Sequence, residues 1–443
     1  MPSPNITIAS PKYIFFLLFT VILSNASAQE NSPYSRYGLG DVVPSQNMIS
    51  RAMGGVSAGY SDYISLNFVN PASLGNISRT VFDIGGEVNR RTLKSNTTPE
   101  KYTATNALIS YFQFGVPVSS KKMEAKQIYW GLGLGLRPVT RVSYKIEERG
   151  RPEGLDSMVT TYEGSGGFNQ ASISTAIKIK RLSIGLAGGY NFGNKDYSTK
   201  VDLINDSIIY HRGNSEHNTS YGGGFLNAGI QYDIKMKKGR LLRLGAYGNF
   251  QQNLKAKKSH LVETFAYDGS GGTLNIDTVQ YTPEEAGTIV YPAMYGIGFT
   301  YNDANWVFGA DFETTMWDNY RFYGQKDAVE SNWKFRAGAQ YLPMKTAADA
   351  RKYSKVIRYR AGMYYGPDHI NAGKQRFEYG FTLGAGLPLT SGQRSFNEFA
   401  MLNAGVEFGG KGNKESLSVR ETVLKFTIGV AMNARWFQKR KYD

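Results

Sequence analysis

The 443 residues include 51 Lys and Arg against 36 Asp and Glu, a formal net charge of +15, with 50 Gly, 30 Tyr, 24 Phe and no Cys. No apolar run is long enough for a transmembrane helix, which excludes a helical membrane protein. The absence of cysteine excludes disulfide staples and a lipidated N-terminal cysteine.

The one compact apolar run, Tyr13 to Leu23, follows Lys12 and precedes SNASAQE. A basic start, a short apolar stretch and Ala-Ser-Ala before Gln29 predict a signal peptide over residues 1–28, cleaved after Ala28. Export turns the positive charge away from nucleic acid and toward anionic lipid head groups.

Residues 29–79 lack strand periodicity. They contain SPYSRYGLGD, RAMGGVSAGYSD and FVNPASLG and read as loop and short helix. Tyr34, Tyr37, Met53, Tyr60, Tyr63, Leu66 and Phe68 make this segment too apolar for a solvated tail, so a plug in a barrel mouth is expected.

From residue 80 to 443 one alternation recurs. Its segments centre on 81–89, 106–116, 128–137, 169–179, 182–192, 220–234, 241–251, 294–301, 306–314, 332–342, 356–365, 378–387, 401–408 and 424–437. Most span about 8–12 residues, the length a tilted strand needs to cross a bilayer. Long connections follow the third, fifth and seventh segments (roughly 139–166, 193–219 and 252–291), and short ones follow the fourth, sixth and eighth. That sorting suits short periplasmic turns and long outer loops. In the last segment Leu424, Phe426, Ile428, Val430, Met432, Ala434 and Trp436 share one face, and Lys425, Thr427, Gly429, Asn433 and Arg435 the other. Similar faces are Trp130, Leu132, Leu134 and Leu136; Tyr295, Ile297, Phe299 and Tyr301; and Tyr379, Phe381, Leu383, Ala385 and Leu387. The expectation is an all-β protein: a closed transmembrane antiparallel β-barrel of about 14 strands with an N-terminal plug, in the outer membrane of a Gram-negative-type cell. Its short turns are basic (Lys121, Lys122, Lys126; Lys180, Arg181; Lys237, Lys238, Arg240), as is the tail at Lys439, Arg440 and Lys441. Outer-membrane lipids are one counter-surface for this rim.

RAMGG, followed by Asn70-Pro71-Ala72 just before the first strand of an exported barrel, resembles the FadL/TodX family of hydrophobic-compound transporters. The resemblance implies an N-terminal hatch over residues 29–79, capture of a hydrophobic small molecule, and passive release, often sideways where the third strand bends. Gly131, Gly133 and Gly135 all face the lumen on that strand, which ends at Arg137 and Pro138; a bend or a close approach of the hatch fits them. Other barrels of this kind serve as shuttles or subunits of outer-membrane protein secretion and assembly machinery, and a basic rim suits that role equally.

The inward faces of the C-terminal half are charged: Asp311, Glu313, Lys334, Arg336, Arg358, Arg360, Glu378, Glu407, Lys425 and Arg435, with Asp83 and Glu87 at the seam. Adjacent strands alternate in sign and can satisfy each other. Arg358 and Arg360 are also candidates for binding a ligand carboxylate. His211, His217, His260 and His369 share no metal-pair spacing; His211 and His217 with Asp206 or Glu216 is the one combination open to a metal. GSGG at 269–272 lacks a following Lys-Ser or Lys-Thr, and no histidine stands beside a serine on a lipid-facing strand. The chain reads as no enzyme, with no cofactor and no metal. Two functions remain: uptake through a hatch-gated lumen, or a barrel subunit of a secretion or assembly complex. An apolar pocket beneath the hatch would favour the first; a filled lumen with an exposed loop patch would favour the second.

Overall fold

The computed structural model describes residues 32–434 apart from 64, 96–100, 206, 209, 269–271, 347–348, 350, 372, 374, 390–397 and 413–418. The signal peptide, Gln29, Asp206, Arg435, Trp436, most of GSGG and the basic tail lie outside these residues.

Fourteen strands close into an antiparallel barrel. They are β1 (Thr80–Lys94), β2 (Lys101–Pro117), β3 (Ile128–Gly150), β4 (Ser157–Ile179), β5 (Leu182–Ile204) and β6 (Arg212–Lys235). Then come β7 in two pieces (Leu241–Asn249 and Gln252–Tyr267) and β8 in two pieces (Thr273–Tyr291 and Met294–Asn302). The wall ends with β9 (Trp306–Thr315), β10 (Asn332–Tyr341), β11 (Arg358–Asn371), β12 (Gln375–Pro388), β13 (Glu398–Lys411) and β14 (Arg420–Ala434). The seam runs from Arg420↔Lys94 to Ala434↔Thr80, so no strand edge is left open where the barrel begins and ends. Among the described residues no helix is long and apolar enough to cross a membrane.

The alternation turns apolar side chains outward. Leu134, Leu136, Ile297, Leu383, Phe426 and Ile428 are exposed, while Thr427, Ala431 and Asn433 on the alternate parity of β14 are buried inside. On β10, Trp333 and Tyr341 mark two aromatic levels, continued by Tyr365 and Tyr359 on β11. Eight residues at about 3.3 Å each, on a strand tilted by about 40°, put these levels roughly 20 Å apart, comparable to the apolar band of an outer-membrane barrel.

The strands themselves outrun this band. β3, β4 and β5 have 23 residues each and β6 has 24, about twice what a crossing needs. The long loops expected after the third, fifth and seventh strands are therefore paired strand for most of their length. Ladders continue to Gly150↔Met158 and Ser157↔Ile204, leaving short tips at 151–156, 205–211 and 268–272. Past the bilayer both faces of such segments as SYKIEERG and YSTKVDLI lack a lipid side, so the apolar period vanishes although the pairing continues. The result is a crest, formed by the outer parts of β3–β8, rising above one side of the barrel. The end opposite the crest has the short turns and both barrel termini, the end that faces the periplasm in outer-membrane barrels.

β2 and β3 pair only from Phe112↔Leu136 to Pro117↔Gly131 and then part company. At this level the β3–β4 ladder shifts register between Pro138 and Thr140. A two-residue strand from the N-terminal segment fills the space by pairing Asp41↔Arg141 and Val42↔Thr140 with β3.

Candidate functional site

The candidate site is the seat of the N-terminal segment, which runs through the lumen from the outer end to β1. At the outer mouth its strap is tied to three parts of the wall. Lys195 Nζ donates to the carbonyls of Arg36 and Gly38 at 2.9 Å, Gly38 N–H donates to Asp327 at 2.7 Å, and Val419 N–H donates to the Tyr34 hydroxyl at 2.7 Å. Leu39 is fully buried among Phe168, Tyr221, Leu254, Ile289, Tyr291, Trp317 and Tyr320. Phe168 meets Tyr291 edge-on at 5.0 Å, and Trp317 stacks on His369 at 4.4 Å. The apolar space at the mouth is thus filled by the protein's own side chains.

Below this cluster lies a cavity of about 180 Å³. Its walls carry charges of both signs: Arg91, Arg137, Lys334, Arg336, Lys411 and Lys425 against Asp41, Glu313, Asp368, Glu378 and Glu407. Most are paired. Arg91 contacts Asp41 at 2.8 Å and Glu421 at 2.9 Å; Lys334–Glu378, Arg336–Glu313 and Lys425–Glu407 are each 2.8 Å. Of the lumen charges read from the strands, Glu313, Lys334, Arg336, Glu378, Glu407 and Lys425 satisfy one another in this way.

Arg51 is brought to the cavity lining by the helix α1 (Met48–Arg51). Asn47 caps it, its Oδ1 accepting from Ser50 N–H at 2.8 Å. The helix delivers Arg51 between Glu87 of β1, with which it forms an ion pair, and Glu407 of β13, 3.9 Å away. The rest of RAMGG follows from the wall it touches. Gly54 and Gly55 have φ of +68° and +91°, a conformation that disfavours a side chain. A Cβ on Gly338 would lie 2.2 Å from Met53 O, and one on Gly362 would lie 2.2 Å from Gly54 N. Two wall glycines thus let the backbone after Arg51 lie directly on β10 and β11.

The segment next crosses β9 and β7. Asp311 accepts from the Ala58 backbone N–H at 2.8 Å, and Ala58 O lies where a Cβ on Gly245 would be, at 1.8 Å. The Asn70-Pro71-Ala72 turn sits near the periplasmic end. Asn70 Oδ1 accepts from Ala72 N–H at 3.1 Å, and its Nδ2 donates to Ala58 O at 2.7 Å and to the Ile230 and Ala246 carbonyls at 3.3 Å. Pro71 begins a 3-10 turn, and the backbone of Pro71 and Ala72 packs on Gly185. The glycine stripe of β3 meets the same segment: Gly131 faces Leu74 O, Gly133 faces the Leu74 side chain and Gly135 faces the Phe68 ring.

Arg358 and Arg360 stand in this seat with protein partners. Arg358 pairs with Asp62 of the plug at 2.9 Å, and Arg360 donates to Gln340 at 2.8 Å and to Asn403 at 2.9 Å. Arg51, Asp62, Gly245, Gly338 and Gly362 were not singled out from sequence. RAMGG carried the signal for the first, but the wall glycines look like any other strand glycine until their register is known. His217 and His260 are brought together on the crest, stacked at 3.9 Å, with Ser215 Oγ 2.9 Å from His260 Nε2. Cross-strand pairing creates this Ser–His contact, and among the described residues no carboxylate pairs with His260. Among the described residues no group of His, Asp and Glu is arranged to hold a metal.

The family model described as BamG matches residues 11–443. The chain belongs to the BamG family. No curated protein matches it. In fold this BamG-family barrel is similar to the FadL/TodX channels. The toluene transporter TodX of P. putida superposes with a TM-score of 0.56 at 15% identity, over 90% of this chain and 100% of that one. A Pseudomonas aeruginosa FadL homologue gives 0.56 at 14%, over 90% and 100%. The Ralstonia pickettii toluene transporter TbuX gives 0.53 at 14%, over 89% and 99%. These identities speak for a shared barrel fold and for nothing finer.

Proposed function

We propose that this BamG-family chain is a non-enzymatic barrel subunit of an outer-membrane protein secretion or assembly complex. The observation that carries this reading is the filled lumen. The plug lies backbone-to-wall on Gly245, Gly338 and Gly362, the mouth is closed around Leu39, and the cavity between them is small and lined by charges. A site for a hydrophobic compound is concave and mostly apolar. The crest adds the complementary feature: Leu274, Val279 and Tyr281 are exposed on the outermost stretch of β8, beyond the lipid band. Apolar surface held in water marks a contact site.

The family assignment leaves the subunit role open, and the likeness to proteins described as toluene transporters favours a second reading, passive uptake of a hydrophobic compound past the plug. Cells lacking the chain separate the two. Under the subunit reading, entry of a hydrophobic tracer is unchanged while the amounts of other outer-membrane proteins fall. Loss of tracer entry with a normal outer-membrane protein profile would overturn it.

A further inference from the structure

We propose that the periplasmic rim of the barrel is a docking surface for an acidic segment of a partner protein, an inference that rests on the subunit reading above. Four connections at this end carry exposed cations: Lys122 between β2 and β3, Lys180 and Arg181 between β4 and β5, Lys237 and Lys238 between β6 and β7, and Lys352 between β10 and β11. Among the described residues the only acids in the connections at this end are Glu124, Asp303 and Asp349. Two of these are already engaged, Asp303 by Arg240 at 3.6 Å and Asp349 by the backbone N–H groups of Lys345 and Thr346 at 3.0 Å.

The turn geometry points the same way. Lys180 has φ +55° and Lys238 has φ +60°, the left-handed region in which a side chain is unfavourable and Gly or Asn is the usual occupant. Positive charge therefore stands where local geometry alone would select another residue. Ordinary solvated lysines do not require those positions.

Lipid head groups are the competing counter-surface. At this end the outward-facing residues are aromatic, with Trp130, Tyr232, Trp306 and Tyr359 all exposed. The girdle that meets head groups thus carries none of the charge, which sits on the turn tips below it. The connection from β10 to β11 also builds a platform rather than a simple turn: α2 (Tyr353–Val356) presents Tyr353, 53% exposed, beside Lys352. Tyr353 stands between Lys352 and Lys355 in the chain, and an exposed tyrosine is a favoured anchor of protein contacts. An acidic partner supplies the matching charge.

The test uses the full-length protein in cells, with a photo-activatable cross-linking residue in place of Tyr353 or Lys122, and in place of Leu155 on the crest as a control position. The expected result is one protein cross-linked from both periplasmic positions through a peptide of net negative charge. In the Lys180→Gly/Lys238→Gly variant the yield from position 353 should fall about tenfold. Heat-modifiable barrel yield should be unchanged or higher, because glycine relieves both turns. Cross-linking to lipid alone, a neutral or basic contact peptide, or an unchanged yield in the double variant would overturn the proposal. A stoichiometric complex that survives purification alongside such a failure leaves the subunit reading standing. The absence of any stoichiometric protein complex removes both.

Discussion

Replacing Arg51 with Met should loosen the plug without disturbing the wall. In the native arrangement Arg51 pairs with Glu87, while Glu407 has its own partners in Lys425 at 2.8 Å and Tyr364 at 2.9 Å. Methionine therefore leaves Glu87 as the uncompensated group, with only Ser110 at 3.4 Å, among the described residues, to hydrogen-bond it. Breaking a buried pair from one side costs about 3–5 kcal/mol. Lys425 on the neighbouring strand still attracts Glu87, which holds the cost to the lower end, about 3 kcal/mol. At about 1.4 kcal/mol per factor of ten, the population of open plug rises roughly a hundredfold. The chain has no cysteine, so a Ser65→Cys probe, at a buried plug position whose hydroxyl has no partner among the described residues, reports opening through its rate of maleimide labelling. The Arg51→Met variant should label about a hundred times faster than the parent probe protein, and adding Glu87→Gln should recover most of the difference. A rate within about threefold of the parent, or no recovery in the double variant, would refute the pairing as the plug's central tie.

Leu134→Lys, on the lipid face of β3, should cost about 2–4 kcal/mol near the midplane and reduce the heat-modifiable folded species on gels. Gly362→Val should raise labelling of the Ser65→Cys probe about tenfold, because its Cβ meets plug backbone that cannot rotate away. Gly213→Val, where a Cβ meets nothing within 4 Å, should leave labelling unchanged. The backbone N–H groups of Lys345 and Thr346 hold the Asp349 carboxyl below its ordinary value. With the folded pKa depressed, its stabilisation is present above the unfolded value of 3.8 and is lost as pH falls through the folded one. The protection of the Lys345 and Thr346 amides from exchange, relative to their intrinsic rates, should therefore fall below about pH 3.8 and stay flat above it.

The wall was legible because lipid on one side and a filled lumen on the other impose a two-residue period. Leu134, Ile297 and Phe426 all announce their face, and each of the fourteen segments read from this alternation corresponds to a strand. Alternating lumen charges such as Glu407 and Lys425 could be paired from sequence, because directly opposed residues on neighbouring strands are adjacent in an antiparallel ladder. The crest was not legible as strand, since past the bilayer water replaces lipid and segments such as 193–204 lose the apolar period that identifies them. The plug's course was hidden for a different reason. Its anchors, Arg51 to Glu87 and Asp62 to Arg358, join residues that share no periodicity, and Gly338 and Gly362 acquire meaning only when β10 and β11 bring them under the same stretch of backbone.

Native mass spectrometry of the chain extracted from membranes in a mild detergent tests the central claim most directly. A plugged barrel serving as a subunit should fly as a stoichiometric assembly with at least one other protein, with no apolar small molecule retained. A lone barrel that carries a hydrophobic ligand in its lumen would contradict it.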